Sequence, residues 1–158
     1  MHLHYFVPLH GARWSLGLLL LRCVVGLAFV LHGSSKLADP THWATHMLPS
    51  APGWLQMIVT LVEFGGGFVL ILGFLTPLAA FLIGCDMTVA IFTVHIPNGG
   101  QFVGGRGAFE LPLLYLTVMI LLLLTGPGAL SIDALIAKYV ARLPRNTSQA
   151  APGDGAGV

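Results

Sequence analysis

Four separate stretches of about 20 mostly apolar residues constrain this chain most, because each has the length a helix needs to cross a bilayer. They cover residues 14–33, 54–74, 77–96 and 109–125. Turn-forming residues punctuate them: Gly33-Ser34-Ser35, Pro52-Gly53, Thr76-Pro77, Pro97-Asn98-Gly99-Gly100 and Gly126-Pro127-Gly128. The chain is 56% hydrophobic and 8% charged, whereas soluble domains carry roughly 25% charged residues. It lacks the polar surface to cover itself in water. An all-α fold follows, an integral membrane four-helix bundle in contact with lipid. The net charge of +1 provides no basic field to recruit nucleic acid.

Beyond the fourth stretch, Ser131 is placed to cap a helix with Asp133 in its first turn. Ile132, Leu135, Ile136, Tyr139, Val140 and Leu143 recur at helical spacing, with Lys138 and Arg142 off that stripe. This predicts a short C-terminal amphipathic helix lying in the membrane interface. The chain thus divides into an N-terminal segment (1–13), a four-helix domain (14–130), an interfacial helix (131–145) and a small, polar, disordered tail (146–158). The first stretch carries Arg22, His32 and Lys36 and no clear cleavage site, so it is expected to be retained. Arg13, Lys138, Arg142 and Arg145 flank one side of the bundle, and Lys36 and Arg106 the other. The positive-inside rule then places both termini in the cytoplasm of a plasma (inner) membrane protein.

Ionisable residues within the spans carry the functional signal, because each costs roughly 2.5–3.5 kcal/mol to insert. Counting 1.5 Å per residue puts Arg22 about 12 Å, Asp86 about 13 Å and Glu63 about 16 Å from the cytoplasmic end. Three helices therefore bring one cation and two acids to similar depth. One Arg between two carboxylates leaves a surplus negative charge, which suggests a shared proton. A second group (His32, Lys36, His95, Arg106 and Glu110) lies nearer the other face. On a regular helix Asp86 and His95 point about 180° apart, so His95 joins the same cavity only if the helix breaks before Pro97. The charged trio is alternatively a structural ion cluster, and Glu110 a carboxylate favoured at a helix start. Gly26, Gly33, Gly65, Gly66, Gly67 and Gly73 suit close helix packing; a slot for a flat ligand is the other reading. His42 and His46 read as solvated loop residues and no metal site is expected. Cys23 and Cys85 lack metal or redox spacing and read as buried hydrophobes. The loop 34–53 is long for a connector, as functional loops often are.

The ordered set of motifs resembles the DoxX family. Leu20-Leu21-Arg22, Gly26, Phe29, His32-Gly33 and Lys36-Leu37 look like its opening signature. Glu63-Phe64-Gly65-Gly66-Gly67, Leu70, Gly73, Thr76 and Ala79-Ala80 look like its second. Phe109-Glu110, Leu113-Leu114-Tyr115, Gly126-Pro127-Gly128 and Ser131-Ile132-Asp133 are similar to its third. The resemblance implies a small four-helix inner-membrane protein related to a subunit of a membrane quinone oxidoreductase. Without a cysteine pair, or haem or iron–sulfur ligands, the electron carrier it implies is an organic molecule such as a quinone, or sits on a partner. Arg22, Glu63 and Asp86 are then the expected catalytic group, with His32, Lys36, Gly66, Gly67 and Glu110 around the ligand. The competing expectations are a non-catalytic anchor for another subunit or a homo-oligomer, and a small proton-coupled carrier.

Overall fold

A computed structural model describes residues 11–105 and 107–143. The expectations for Arg106, Arg145, the tail and most of the N-terminal segment lie outside the described residues. The elements are α1 (Ala12–Lys36), α2 (Gly53–Leu72), α3 (Thr76–Ala90), which continues through a π-turn (Ile91–His95), α4 (Glu110–Thr125) and α5 (Ile132–Arg142). Among the described residues there is no strand. Three helices, Ala12–Lys36, Gly53–Leu72 and Thr76–His95, are long and apolar enough to cross a membrane. The fourth apolar helix is shorter than these but matches the 109–125 stretch to within one residue: α4 has 16 residues, about 24 Å of rise. The exposed surface of the bundle is rich in Leu, Val, Ile and Phe, as lipid contact requires. Cys85 is on that surface and Cys23 is half-buried, both as free thiols, so neither is the core residue expected.

Glycines decide how closely α1 and α2 approach. A Cβ added to Gly26 would lie 2.6 Å from the Gly67 carbonyl oxygen, and one on Gly67 would lie 2.6 Å from that of Gly26. A Cβ on Gly33 would run into the backbone of Phe64. The two helices therefore touch backbone to backbone, where dispersion and weak C–H contacts replace side-chain packing. Phe29, Leu70, Ala80, Ile83, Met119 and Leu122 fill the core between the four helices.

The end of the bundle opposite the long 37–52 loop is tied by polar groups and is called the turn end here. Gly73 and Leu75 both have positive φ, +66° and +46°, and make the tight α2–α3 connection. Ser131 caps α5 by accepting from the Ala134 N–H at 3.1 Å, as its sequence position predicts. Asp133 is in the first turn of α5, as expected, and also serves a second helix. Its carboxylate accepts from the N–H groups of Leu75 (2.8 Å) and Thr76 (2.9 Å), capping α3 from outside. Its own N–H donates to the Gly73 carbonyl at 2.9 Å. Asp133→Ala should therefore cost about 1–2 kcal/mol. In thermal unfolding it should lower the midpoint, and limited proteolysis should cut at α5 faster than in the parent. Unchanged protection of α5 would refute this tie.

Candidate functional site

The chamber is easiest to follow from its floor upward. Glu63 is on the buried face of α2, in a row with Gln56, Thr60, Gly67 and Leu70. Its Oε2 lies 2.5 Å from the Lys36 ammonium. The Asp86 carboxyl, from α3, faces Glu63 and feels the charge of both. The floor thus holds one cation and two acids in an apolar surround.

The cation is Lys36, not Arg22. Arg22 is fully buried at the turn end, where its Nη2 donates to the Leu130 carbonyl and its guanidinium packs on Gly73. The expected trio therefore does not form; Glu63 and Asp86 meet, and Arg22 belongs to the joint between α1, the α2–α3 turn and the segment before α5. The reason is side-chain direction. Helical side chains lean toward the helix N-terminus. From α1 the long Arg22 side chain reaches about a turn closer to Gly73 than its Cα, and Lys36 leans back from the last turn to the level of Glu63. Depth counted along Cα positions misses both displacements.

Above this floor is a chamber of about 560 Å³, within the usual range for small-molecule sites. Its walls are mostly apolar and come from α1 to α4, including Phe29, Val59, Met87, Ala90 and Tyr115. Phe29 and Tyr115 pack with tilted rings, 4.9 Å between centroids, with His32 edge-on at 6.4 Å from Tyr115. The 37–52 loop closes the chamber as a lid. Gln56, buried, fastens it: Oε1 accepts from the Ala44 N–H (2.8 Å) and Nε2 donates to the Ala51 carbonyl (3.0 Å). Trp43 donates its indole N–H to the Gln56 carbonyl at 3.1 Å. The ring of Trp43 also covers the Lys36 ammonium, 3.9 Å from its centroid, a favourable cation–π placement. Lys36 thus touches lid and floor at once.

His95 lines the chamber as well, and the π-turn is what allows it. Widening one turn reduces the rotation per residue, so His95 leaves the face opposite Asp86. Its Nδ1 lies 2.7 Å from the Gly107 carbonyl. That oxygen can only accept, so Nδ1 donates to it. Of the other expected ligand residues, His32 and Lys36 line the chamber, whereas Glu110, Gly66 and Gly67 do not. Glu110 is exposed in the first turn of α4, as a helix-start carboxylate would be. Gly67 is consumed by contact with α1, and Gly66 faces Ile83 of α3, so neither makes room for a ring in the chamber. On the lid, His42 pairs with Asp39 at 3.1 Å in solvent. This hydrogen bond is the main cause holding the Asp39 carboxyl below its usual range. Among the described residues no cluster of His, Cys, Asp or Glu could hold a metal.

Gln56 drew no notice in the sequence. A signal was present: Gln56, Thr60 and Glu63 recur at four and three residues, a polar stripe on one face of a membrane helix.

The DoxX family profile matches residues 17–96, half of the chain, covering α1, α2 and α3 through the π-turn. The chain belongs to the DoxX family. Every floor residue falls within the DoxX match, whereas Tyr115 and α5 lie beyond it. DoxX-like similarity extends further in individual relatives. The inner membrane protein YqjF of Escherichia coli is 31% identical over 128 residues, 78% of this chain and 95% of that protein. An uncharacterized protein of Haemophilus influenzae is 31% identical over 114 residues, 72% of this chain and 85% of its own. The Bacillus subtilis protein named "Putative oxidoreductase CatD" is 28% identical over 127 residues, 79% of this chain and 90% of that one. No solved structure matches. With the apolar helices, these relatives make the chain a DoxX membrane protein.

Proposed function

We propose that this DoxX protein is a redox-associated subunit whose chamber holds the head group of a quinone or quinol. The observation behind this reading is the chamber itself: an apolar enclosure within the helices whose deep polar groups are a lysine and two facing carboxyls. A quinone supplies reversible two-electron, two-proton chemistry, with the electrons passed to or from a partner of the complex. Lys36 is placed to donate a hydrogen bond to a ring oxygen. The Glu63–Asp86 pair can accept a proton from a ring hydroxyl or return it, as a general base must within hydrogen-bonding reach. His95, also on the chamber wall, can pass that proton on toward the lid. Trp43 and the aromatic wall of Phe29 and Tyr115 offer flat faces to a ring. The oxidoreductase name of the Bacillus subtilis relative agrees with a redox role.

The deciding experiment is the quinone content of the protein after gentle detergent purification, against an unrelated four-helix membrane protein prepared in parallel. Near-stoichiometric quinone is expected, lost by roughly tenfold or more in Glu63→Gln, where a charged hydrogen-bonding partner disappears, and kept in Asp133→Ala, which lies at the turn end. Content no higher than the control would remove the reading. It would favour a non-catalytic membrane anchor, for which the direct Lys36–Glu63 pair serves as structural glue between α1 and α2.

A further inference from the structure

We infer that the ligand of the chamber is lipid-borne, and that its hydrocarbon chain lies in a groove between α2 and α3. The inference rests on the quinone reading of the chamber and adds the class of quinone, a chain-bearing one, together with the place of its chain.

The groove is a second cavity of about 260 Å³ on the lipid-facing side of the α2–α3 pair, lined by apolar residues alone. Its floor is Gly66, where an added Cβ would come within 3.0 Å of the Ile83 side chain. Its rim includes Leu61 and Leu78, both more than half exposed. Groove and chamber share one seam. On α2, Leu55 and Val59 line the chamber, and Val62, Gly66 and Val69 line the groove. These positions are spaced 4, 3, 4 and 3, a single helix face. On α3, Leu78 and Leu82 line the groove, and Asp86, Val89 and Thr93 line the chamber. Those are spaced 4, 4, 3 and 4, again one face. Two antiparallel helices thus present one continuous track, with Asp86 at the point where apolar groove becomes polar-floored chamber. From Val59 to Val69 the track runs about 15 Å, enough for a chain of some ten carbons.

Gln56 and Trp43 hold the 37–52 loop across one end of the chamber. On the α2–α3 seam Leu55, Val89 and Thr93 line the chamber and are exposed, so this seam opens to lipid above Asp86. A head group seated against Lys36 and Asp86 leaves its substituent facing this seam, where an alkyl or prenyl chain exchanges lipid for a matching apolar surface.

The full-length protein in lipid nanodiscs tests this with two dimethoxy-methyl-benzoquinones, one without a chain and one with a decyl chain, plus a decyl homologue ending in a diazirine. Binding, expressed per mole fraction in the lipid, should favour the decyl form by about tenfold or more. After irradiation the label should fall on residues 58–69 and 75–82. Gly66→Leu fills the groove and should abolish the preference while leaving binding of the chainless form unchanged. Leu78→Trp, on the exposed rim, should do the same and covers the case in which Gly66→Leu fails to fold. Equal binding of both forms, or labelling on the lid or α4, overturns the groove and leaves the quinone site standing. Binding of neither form overturns both.

Discussion

Lys36→Met is expected to be among the most damaging single changes in the molecule, although it removes one side chain at the end of a helix. Lys36 is the cation facing Glu63, and Glu63 faces Asp86. Without it, two carboxyls share an apolar chamber with no compensating charge. Breaking a buried pair by deleting one partner costs roughly 3–5 kcal/mol. Near neutral pH the variant should unfold at much lower temperature or denaturant than the parent. Protonating the acids removes the uncompensated charge, so the deficit should shrink as the pH falls. The double variant Lys36→Met with Glu63→Gln should recover much of the loss, because the remaining single acid can be neutral. A deficit that is the same at all pH values, or no recovery in the double variant, would show that Lys36 acts through Trp43 and the lid rather than through the floor.

Gly73→Ala should be comparably harmful at the opposite end. The residue has φ +66°, a conformation that costs an L side chain roughly 1–2 kcal/mol. Its missing Cβ is also the seat of the Arg22 guanidinium, and Ser131 approaches the same point to 2.6 Å. A methyl group there must displace a fully buried cation from its hydrogen bond to Leu130, so a total of about 3 kcal/mol or more is expected. Arg22→Ala alone should also destabilise. Combined with Gly73→Ala it should cost less than the sum, since the steric part vanishes with the guanidinium. Strict additivity of the two would mean that Arg22 does not occupy the place assigned to it.

The helices were legible in the sequence because a bilayer leaves few alternatives: long apolar runs bounded by Gly and Pro must be helical. The predicted stretches agree with the observed helices to within a few residues, and Ser131 caps α5 as its position indicates. The two acids of the site were also legible, since residue counting places Glu63 and Asp86 level and helical carboxylates are short. Their cation was not. Arg22 and Lys36 have long side chains on one helix, and both lean toward its N-terminus, so the nearer Cα belongs to the wrong residue. His95 was hidden for another reason: helical angle is a local sum, and a single widened turn at Ile91–His95 changes it with no signal in composition. Gly66 and Gly67 were legible as small residues but not as to which neighbour they admit.

The pairing of Lys36 with Glu63 also bears on how the chain enters the bilayer. Its two charges belong to consecutive helices, α1 and α2, which are in backbone contact through Gly26, Gly33 and Gly67. The first hairpin to emerge during synthesis therefore carries its own counter-ion and can partition into lipid without a net charge at the Glu63 level. Asp86 arrives later on α3 with no cation of its own and meets a hairpin that is already neutral there. The α1–α2 hairpin thus offers Asp86 of α3 a level at which the charges of Lys36 and Glu63 already balance.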